Sequence, residues 1–207
     1  MTSRYLEIHP KDPQLRLIRQ AVEIIRDGGV VVYPTDSCYA LGCHLGNKTA
    51  MERIGRIRHI DRHHHFTLVC SDLSEIATYA RVSNTQYRTL KAFTPGPYTF
   101  ILQATKETPR RLQNEKRKTI GVRVPDHPVA TAILDELGEP IMSSTLILPG
   151  DEHPMTDPRE IQERLFHFVD AVIDSGNCGL EPSSVIDLVG PAPVIVRRGK
   201  GDVSAFE

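Results

Sequence analysis

The sequence contains no tryptophan, and aromatic residues make up only 6% of its 207 positions. Stacking platforms for single-stranded nucleic acid need aromatic faces, so that mode of binding is poorly supplied. The formal net charge is −1, which excludes a global basic field and leaves nucleic-acid binding to a local patch. The four cysteines, Cys38, Cys43, Cys70 and Cys178, match neither zinc-ribbon nor CxxC spacing and read as reduced thiols of a cytosolic protein. No apolar run approaches a membrane span, and the start of the chain lacks the basic-then-apolar pattern of a secretory leader. A cytoplasmic location is therefore expected. The sequence has no GxxxxGKS/T loop and no GxGxxG, so any phosphate binding would rest on arginines and hydroxyl-bearing loops. It has no GxSxG either, which argues against a hydrolase nucleophile elbow.

What is present is an ordinary globular balance, 40% hydrophobic and 25% charged, in a chain long enough to bury a core without disulfides. No repeat, low-complexity tract or linker interrupts it, so one domain over residues 1–207 is expected. Residues 14–26 form a helical stripe of Leu15, Ile18, Val22 and Ile25, stopped by Gly28 and Gly29. The run from Val30 to Tyr33 is a buried strand ending at Pro34. Residues 47–58 repeat at helical spacing through Met51, Ile54 and Ile57. Asp72 with Glu75, and Ser83 with Gln86, spell capping boxes. Pro128 and Pro158 stand at helix starts. Strands are expected at 5–9, 66–70, 98–104, 119–124, 140–143, 168–173, 185–188 and 194–197. Strands alternating with helices, with more strands late, predict an α/β (or α+β) fold built on a mixed sheet.

Five segments put hydroxyls or arginines at strand ends, where open α/β sheets place ligands. The first is Tyr33-Pro34-Thr35-Asp36-Ser37-Cys38-Tyr39, whose small hydroxyls can bond a ligand without crowding it, or equally close a βα turn. The second is the run Arg53, Arg56, Arg58 and Arg62. Its guanidinium forks suit phosphate oxygens, although such a run is also compatible with a solvated helix face. The histidines His63, His64 and His65 are consecutive and cannot easily share one metal ion. The third is Gly121-Val122-Arg123-Val124-Pro125-Asp126-His127-Pro128, in which Arg123 faces opposite to the two valines. The fourth is Ser143-Ser144-Thr145. The fifth is Pro182-Ser183-Ser184-Val185-Ile186-Asp187-Leu188, followed by Val194 to Gly199 with Arg197. One shared rim is expected from them.

Together these segments resemble the YrdC/YciO family, over nearly the whole stretch from Val30 to Gly199. PTDSCYALG is similar to that family's strand-end signature, and TPGPYTFIL to its WPGPLTLIL element with Thr94 in place of tryptophan. GVRVPDHP, and SSVIDL with VIVRRG, resemble its remaining elements. The HHHFTLVC run is most similar to the YciO branch. The resemblance implies a twisted sheet with helices packed on it and a deep, positive concave face. It also implies ATP as a substrate, with Mg2+, together with L-threonine and bicarbonate. The products would be threonylcarbamoyl-AMP and pyrophosphate, feeding a modified adenosine of tRNA. On that resemblance Thr35, Asp36, Ser37, Tyr39, Ser143, Ser144 and Thr145 contact the amino acid or the acyl-adenylate. Arg58, Arg123, Ser184 and Arg197 contact phosphate or carboxylate, with Arg56 or Arg62 reaching the same place.

Two departures accompany it. Where the synthases carry a KxR motif, an ungapped match places Arg58-His59-Ile60. Where they carry SxN, it places Thr145-Leu146-Ile147. Losing an arginine contact removes a charge-assisted bond worth about 1.5–3 kcal/mol. No residue stands out as a general base. Two functions follow as expectations: an adenylate-forming enzyme holding ATP or an AMP-like molecule, or a module binding tRNA or double-stranded RNA without catalysis. The second would draw on Lys106, Arg110, Arg111, Lys116, Arg117 and Lys118.

Overall fold

A computed structural model describes residues 3–60 and 66–207. Arg62 and the three histidines that follow it lie outside the described residues. In chain order the elements are β1 (Arg4–Glu7), α1 (Leu15–Arg26), β2 (Val31–Tyr33), β3 (Ala40–His44), α2 (Lys48–Arg58), β4 (Thr67–Val69), α3 (Leu73–Tyr79) and β5 (Ala80–Arg81). They continue with α4 (Asn84–Phe93), β6 (Tyr98–Ala104), β7 (Thr119–Arg123), α5 (Pro128–Leu137), β8 (Ile141–Thr145), α6 (Pro158–Leu165), β9 (Ala171–Asp174), β10 (Ser184–Asp187) and β11 (Val194–Arg197). The strands form one mixed sheet in the order β1-β9-β2-β3-β8-β4-β7-β6-β10-β11, with β5 pairing β6. Parallel pairs such as β4 with β7 stand beside antiparallel ones such as β4 with β8. The expected mixed-sheet α/β fold is the one observed.

The period of two along each strand divides the core into two layers. Val31, Tyr33, Val69, Ile141, Ala171 and Ile173 pack with α1 and α5 on one face. Val30, Val32, Leu68, Val122 and Met142 pack on the other, with Ile54 of α2, Ile76 of α3, Leu90 of α4 and Ile161 of α6. The stripe of α1 that is buried is Ile18, Ala21, Val22 and Ile25. Leu15, expected in it, is 51% exposed, because it sits in the first turn and packing begins one turn later.

Local chemistry sets the ends of the helices. Ser83 and Gln86 make a complete capping box, with bonds of 3.3 and 2.8 Å. The box expected at Asp72 is half formed. Asp72 accepts from the Glu75 N–H at 2.8 Å, but the Glu75 carboxylate turns back to the N–H and hydroxyl of Ser71. α5 runs from Pro128 to Leu137, with His127 at its N-cap and Gly138 in the left-handed region after it. The break at residues 94–97 contains a cis Thr94–Pro95 peptide. The strand β3 is not among those expected from the sequence pattern. It is buried on both faces, so it shows no alternation, and Gly42 interrupts its apolar run. That glycine is required by packing, since a Cβ there would lie 2.8 Å from both the Tyr33 ring and Ile141. None of the helices among the described residues is long and apolar enough to cross a membrane.

Candidate functional site

α1 and α5 cover only part of their face of the sheet. Hydrogen-bonded register carries the same face onward as a row: Gly42 opposite Ser143, Ser143 opposite Thr67, Thr67 opposite Gly121, and Gly121 opposite Ile101. Where the helices end, Ser143, Thr67 and Gly121 of this row form the floor of a hollow of about 300 Å³. Tyr33, Thr35, Thr67, Thr99, Thr119, Ser143, Ser144, Thr145 and Ser183 supply its hydroxyls, and Arg58, Arg123 and Arg197 its positive charge. Ile101, Leu112, Ile147, Val185 and Val196 give it an apolar side.

The floor is pre-organised. The Tyr33 and Ser143 hydroxyls are 2.8 Å apart, and Ser143 donates to the Leu41 carbonyl at 3.2 Å. Burial pushes the Tyr33 phenol up to about 12, so it stays a neutral donor at physiological pH. The Thr35 hydroxyl donates to the Cys38 carbonyl at 2.7 Å and accepts from the N–H groups of Ser37 and Cys38. It thereby closes the loop after β2 as a hydroxyl turn. Ser183 and Thr99 share a hydroxyl contact of 2.8 Å on the opposite wall.

The arginines are each held by protein groups. Arg123 is buried and pairs with Asp36, yet its Nε and the second Asp36 oxygen, Oδ2, both buried, meet no hydrogen-bond partner among the described residues. Arg58 donates to the Ser144 hydroxyl and to the Ile147 carbonyl at 3.3 Å. Arg197 grips the Ser183 carbonyl with Nε and a terminal nitrogen at 3.0 and 2.7 Å. Desolvation lowers the Arg58 pKa, and the charge of Arg197 lowers it further. Desolvation also lowers that of Arg197, with Arg123 adding to it. The guanidinium groups therefore feel one another across the hollow. Of these charges, that of Arg123 is met by the Asp36 carboxylate. An anion placed between them would relieve that repulsion, and guanidinium forks match phosphate or carboxylate oxygens.

Not every residue expected at the rim is there. Tyr39 points away, donating to the Gly176 carbonyl at 2.7 Å from the opposite layer of the core. Ser184 is fully buried and ties the chain's end, donating to the Gly201 carbonyl at 2.6 Å; the hollow receives its neighbour Ser183, a one-residue slip at a strand start. Asp36 and Ser37 stand behind Thr35, the first holding Arg123 and the second sharing a 3.1 Å contact with the Thr35 hydroxyl. Arg56 lies two positions from Arg58, so the helix turns it to another side. It is exposed and contacts the Glu52 carbonyl at 3.4 Å. Arg53 is spent on Asp170 at 2.7 Å. Ile60 packs on the core cluster, whereas Ile147 lines the hollow. The unforeseen floor residues Thr67, Thr99 and Thr119 were signalled by alternation, each being next in sequence to a side chain of the opposite core layer.

Fold and site together define a class: a mixed twisted sheet with a hydroxyl floor and an arginine rim. A family model covering Sua5, YciO and YrdC proteins, described as "Telomere recombination", matches residues 23–199, and the chain belongs to that family. It is 57% identical over 204 residues to an uncharacterized protein, YciO, of Escherichia coli K12, covering 99% of each. The crystal structure of E. coli YciO superposes with a TM-score of 0.96, covering 99% of this chain and 100% of that one. More distantly, the chain is 33% identical to the threonylcarbamoyl-AMP synthase of Chromobacterium violaceum, over 86% of this chain and 92% of that protein. The fold is also that of Pyrococcus abyssi Sua5 complexed with L-threonine, at a TM-score of 0.87 and 24% identity, over 95% of this chain and 58% of that one.

Proposed function

We propose that the hollow binds ATP and an amino-acid carbamate and joins them, as a threonylcarbamoyl-AMP synthase does. The observation that carries this reading is the set of three guanidinium groups, Arg58, Arg123 and Arg197, around a floor of hydroxyls. Such a site holds two anions side by side, the α-phosphate of a nucleotide and a carboxylate. L-Threonine and bicarbonate give a carbamate with loss of water. A carbamate oxygen then attacks the α-phosphorus, and the bond from that phosphorus to the β-bridging oxygen breaks. Pyrophosphate leaves with the electron pair, and threonylcarbamoyl-AMP remains. Magnesium enters with the ATP phosphates as part of the substrate. The reaction asks the protein chiefly for alignment and for stabilising charge on the phosphates. The test is pyrophosphate release from ATP, L-threonine and bicarbonate, run beside a calorimetric titration with ATP. Release that needs all three supports synthesis. ATP binding without release leaves a nucleotide-binding protein, and no ATP binding contradicts the reading altogether.

A second reading, binding of tRNA or double-stranded RNA without catalysis, is supported by the segment between β6 and β7. It exposes Lys106, Arg110, Lys116 and Lys118, while Leu112 and Thr119 of the same segment line the hollow. Two of its cations are otherwise engaged, Arg117 with Asp187 at 2.6 Å and Arg111 with the Gly46 carbonyl. Binding to duplex RNA that weakens steeply with added salt would support this reading, and the absence of binding at low salt would remove it.

A further inference from the structure

The chain continues past Arg197, which lines the hollow, into the segment Arg198-Gly199-Lys200-Gly201, whose lysine meets the loop that carries Thr35. Its backbone is clamped. The Lys200 N–H donates to the Pro182 carbonyl at 2.9 Å. The Gly199 N–H donates to the Ser184 hydroxyl at 3.0 Å, and that hydroxyl donates to the Gly201 carbonyl at 2.6 Å. Both glycines are required by close approach. A Cβ on Gly199 would stand 2.2 Å from the Pro182 carbonyl oxygen, and one on Gly201 2.5 Å from the Tyr98 ring. Lys200 is therefore carried on a fixed backbone, while its own side chain stays exposed.

Neighbouring cations are committed to carboxylates: Arg123 to Asp36, Arg117 to Asp187 and Arg198 to Glu207. Among the described residues Lys200 pairs with no carboxylate. Its ammonium instead reaches the facing loop and donates to a neutral acceptor, the backbone carbonyl of Asp36. A charge-assisted bond to phosphate is stronger than one to a carbonyl, so the ammonium can exchange that partner for an anion arriving there. Lys200 is absent from the lining itself. A phosphate held inside meets the arginines, and only the part of a polyphosphate that extends outward meets Lys200.

We propose that Lys200 is a clamp for the outer phosphates of a nucleoside triphosphate, which makes the site favour ATP over AMP. This rests on the nucleotide reading above. The experiment is calorimetric titration of the intact protein, Lys200→Ala and Lys200→Arg with ATP and, separately, with AMP. The expected result is that Lys200→Ala weakens ATP about fivefold and leaves AMP unchanged, Lys200→Arg recovers most of the loss, and thermal unfolding of all three coincides. ATP binding that Lys200→Ala leaves intact, or equal losses for ATP and AMP, would overturn the clamp and leave the nucleotide site standing. Wild-type protein that binds neither nucleotide would overturn both.

Discussion

Among the individual side chains of the hollow, Arg197 is held firmly at its rim. Two of its nitrogens hold the Ser183 carbonyl, and its charge is felt by Arg58. Replacing it with alanine removes one charge-assisted contact, so ATP affinity should fall about tenfold, as expected for a bond of that kind. Calorimetry on Arg197→Ala checks this, and an unchanged affinity would place the phosphates elsewhere. Arg123 and Arg197 were legible because each stands at a strand end in a segment rich in other signals. For Thr67 and Thr99 alternation gave only the side of the strand, since a threonine on that side looks the same whether it faces a core, a solvent layer or a hollow. Tyr39 and Ser184 misled for the converse reason: hydroxyls at strand ends also close turns and tie down chain ends, as both do here.

Among the elements, β3 shows where pattern reading fails. Its five residues are flanked by strands on both sides and buried by both core layers, so no alternation marks it, and Gly42 suggests a turn. The glycine is instead the place where the Tyr33 ring crosses the sheet. Gly42→Ala should destabilise the protein by about 1–3 kcal/mol, the usual cost of overpacking, and denaturant unfolding measures it. The N-cap of α5 gives a pH prediction. His127 accepts the Val129 N–H at 3.2 Å through Nδ1, and burial lowers its pKa from 6.5, opposed by Asp36 and Asp126. Above 6.5 the ring is neutral whether folded or unfolded. As pH falls below 6.5 the unfolded chain takes up the proton first, so stability is lost until the lowered folded value is passed. His127→Asn keeps an acceptor at the cap, and its Tm should fall less than that of the wild type between pH 7 and 5. Parallel curves would show that His127 does not titrate this way. The helices, by contrast, were readable nearly to their ends, because prolines, capping hydroxyls and apolar stripes act locally.

At the scale of the whole molecule, the sheet order places β8, β4, β7, β6 and β10 side by side from distant parts of the chain. That assembly was beyond reading from local pattern, since it depends on crossovers and register; the family resemblance supplied its general shape. It makes a site that no single motif encodes: hydroxyls from one half of the sheet, arginines from α2, β7 and β11, and an apolar wall that includes Ile147. Ile147 stands in the lining, and Ile60 packs against the core. On the proposed function, the site would keep its arginines and hydroxyls without the two polar groups that the resemblance places at Ile60 and Ile147, and slow turnover is the expected outcome. The measurement that bears most directly on this is mass spectrometry of the products from ATP, L-threonine and 13C-bicarbonate at high enzyme concentration. The expected result is a threonyl-carbamoyl adenylate carrying one 13C label, formed in step with pyrophosphate and absent when any one substrate is left out. Pyrophosphate without a labelled adenylate, or neither product from protein that binds ATP, would contradict it.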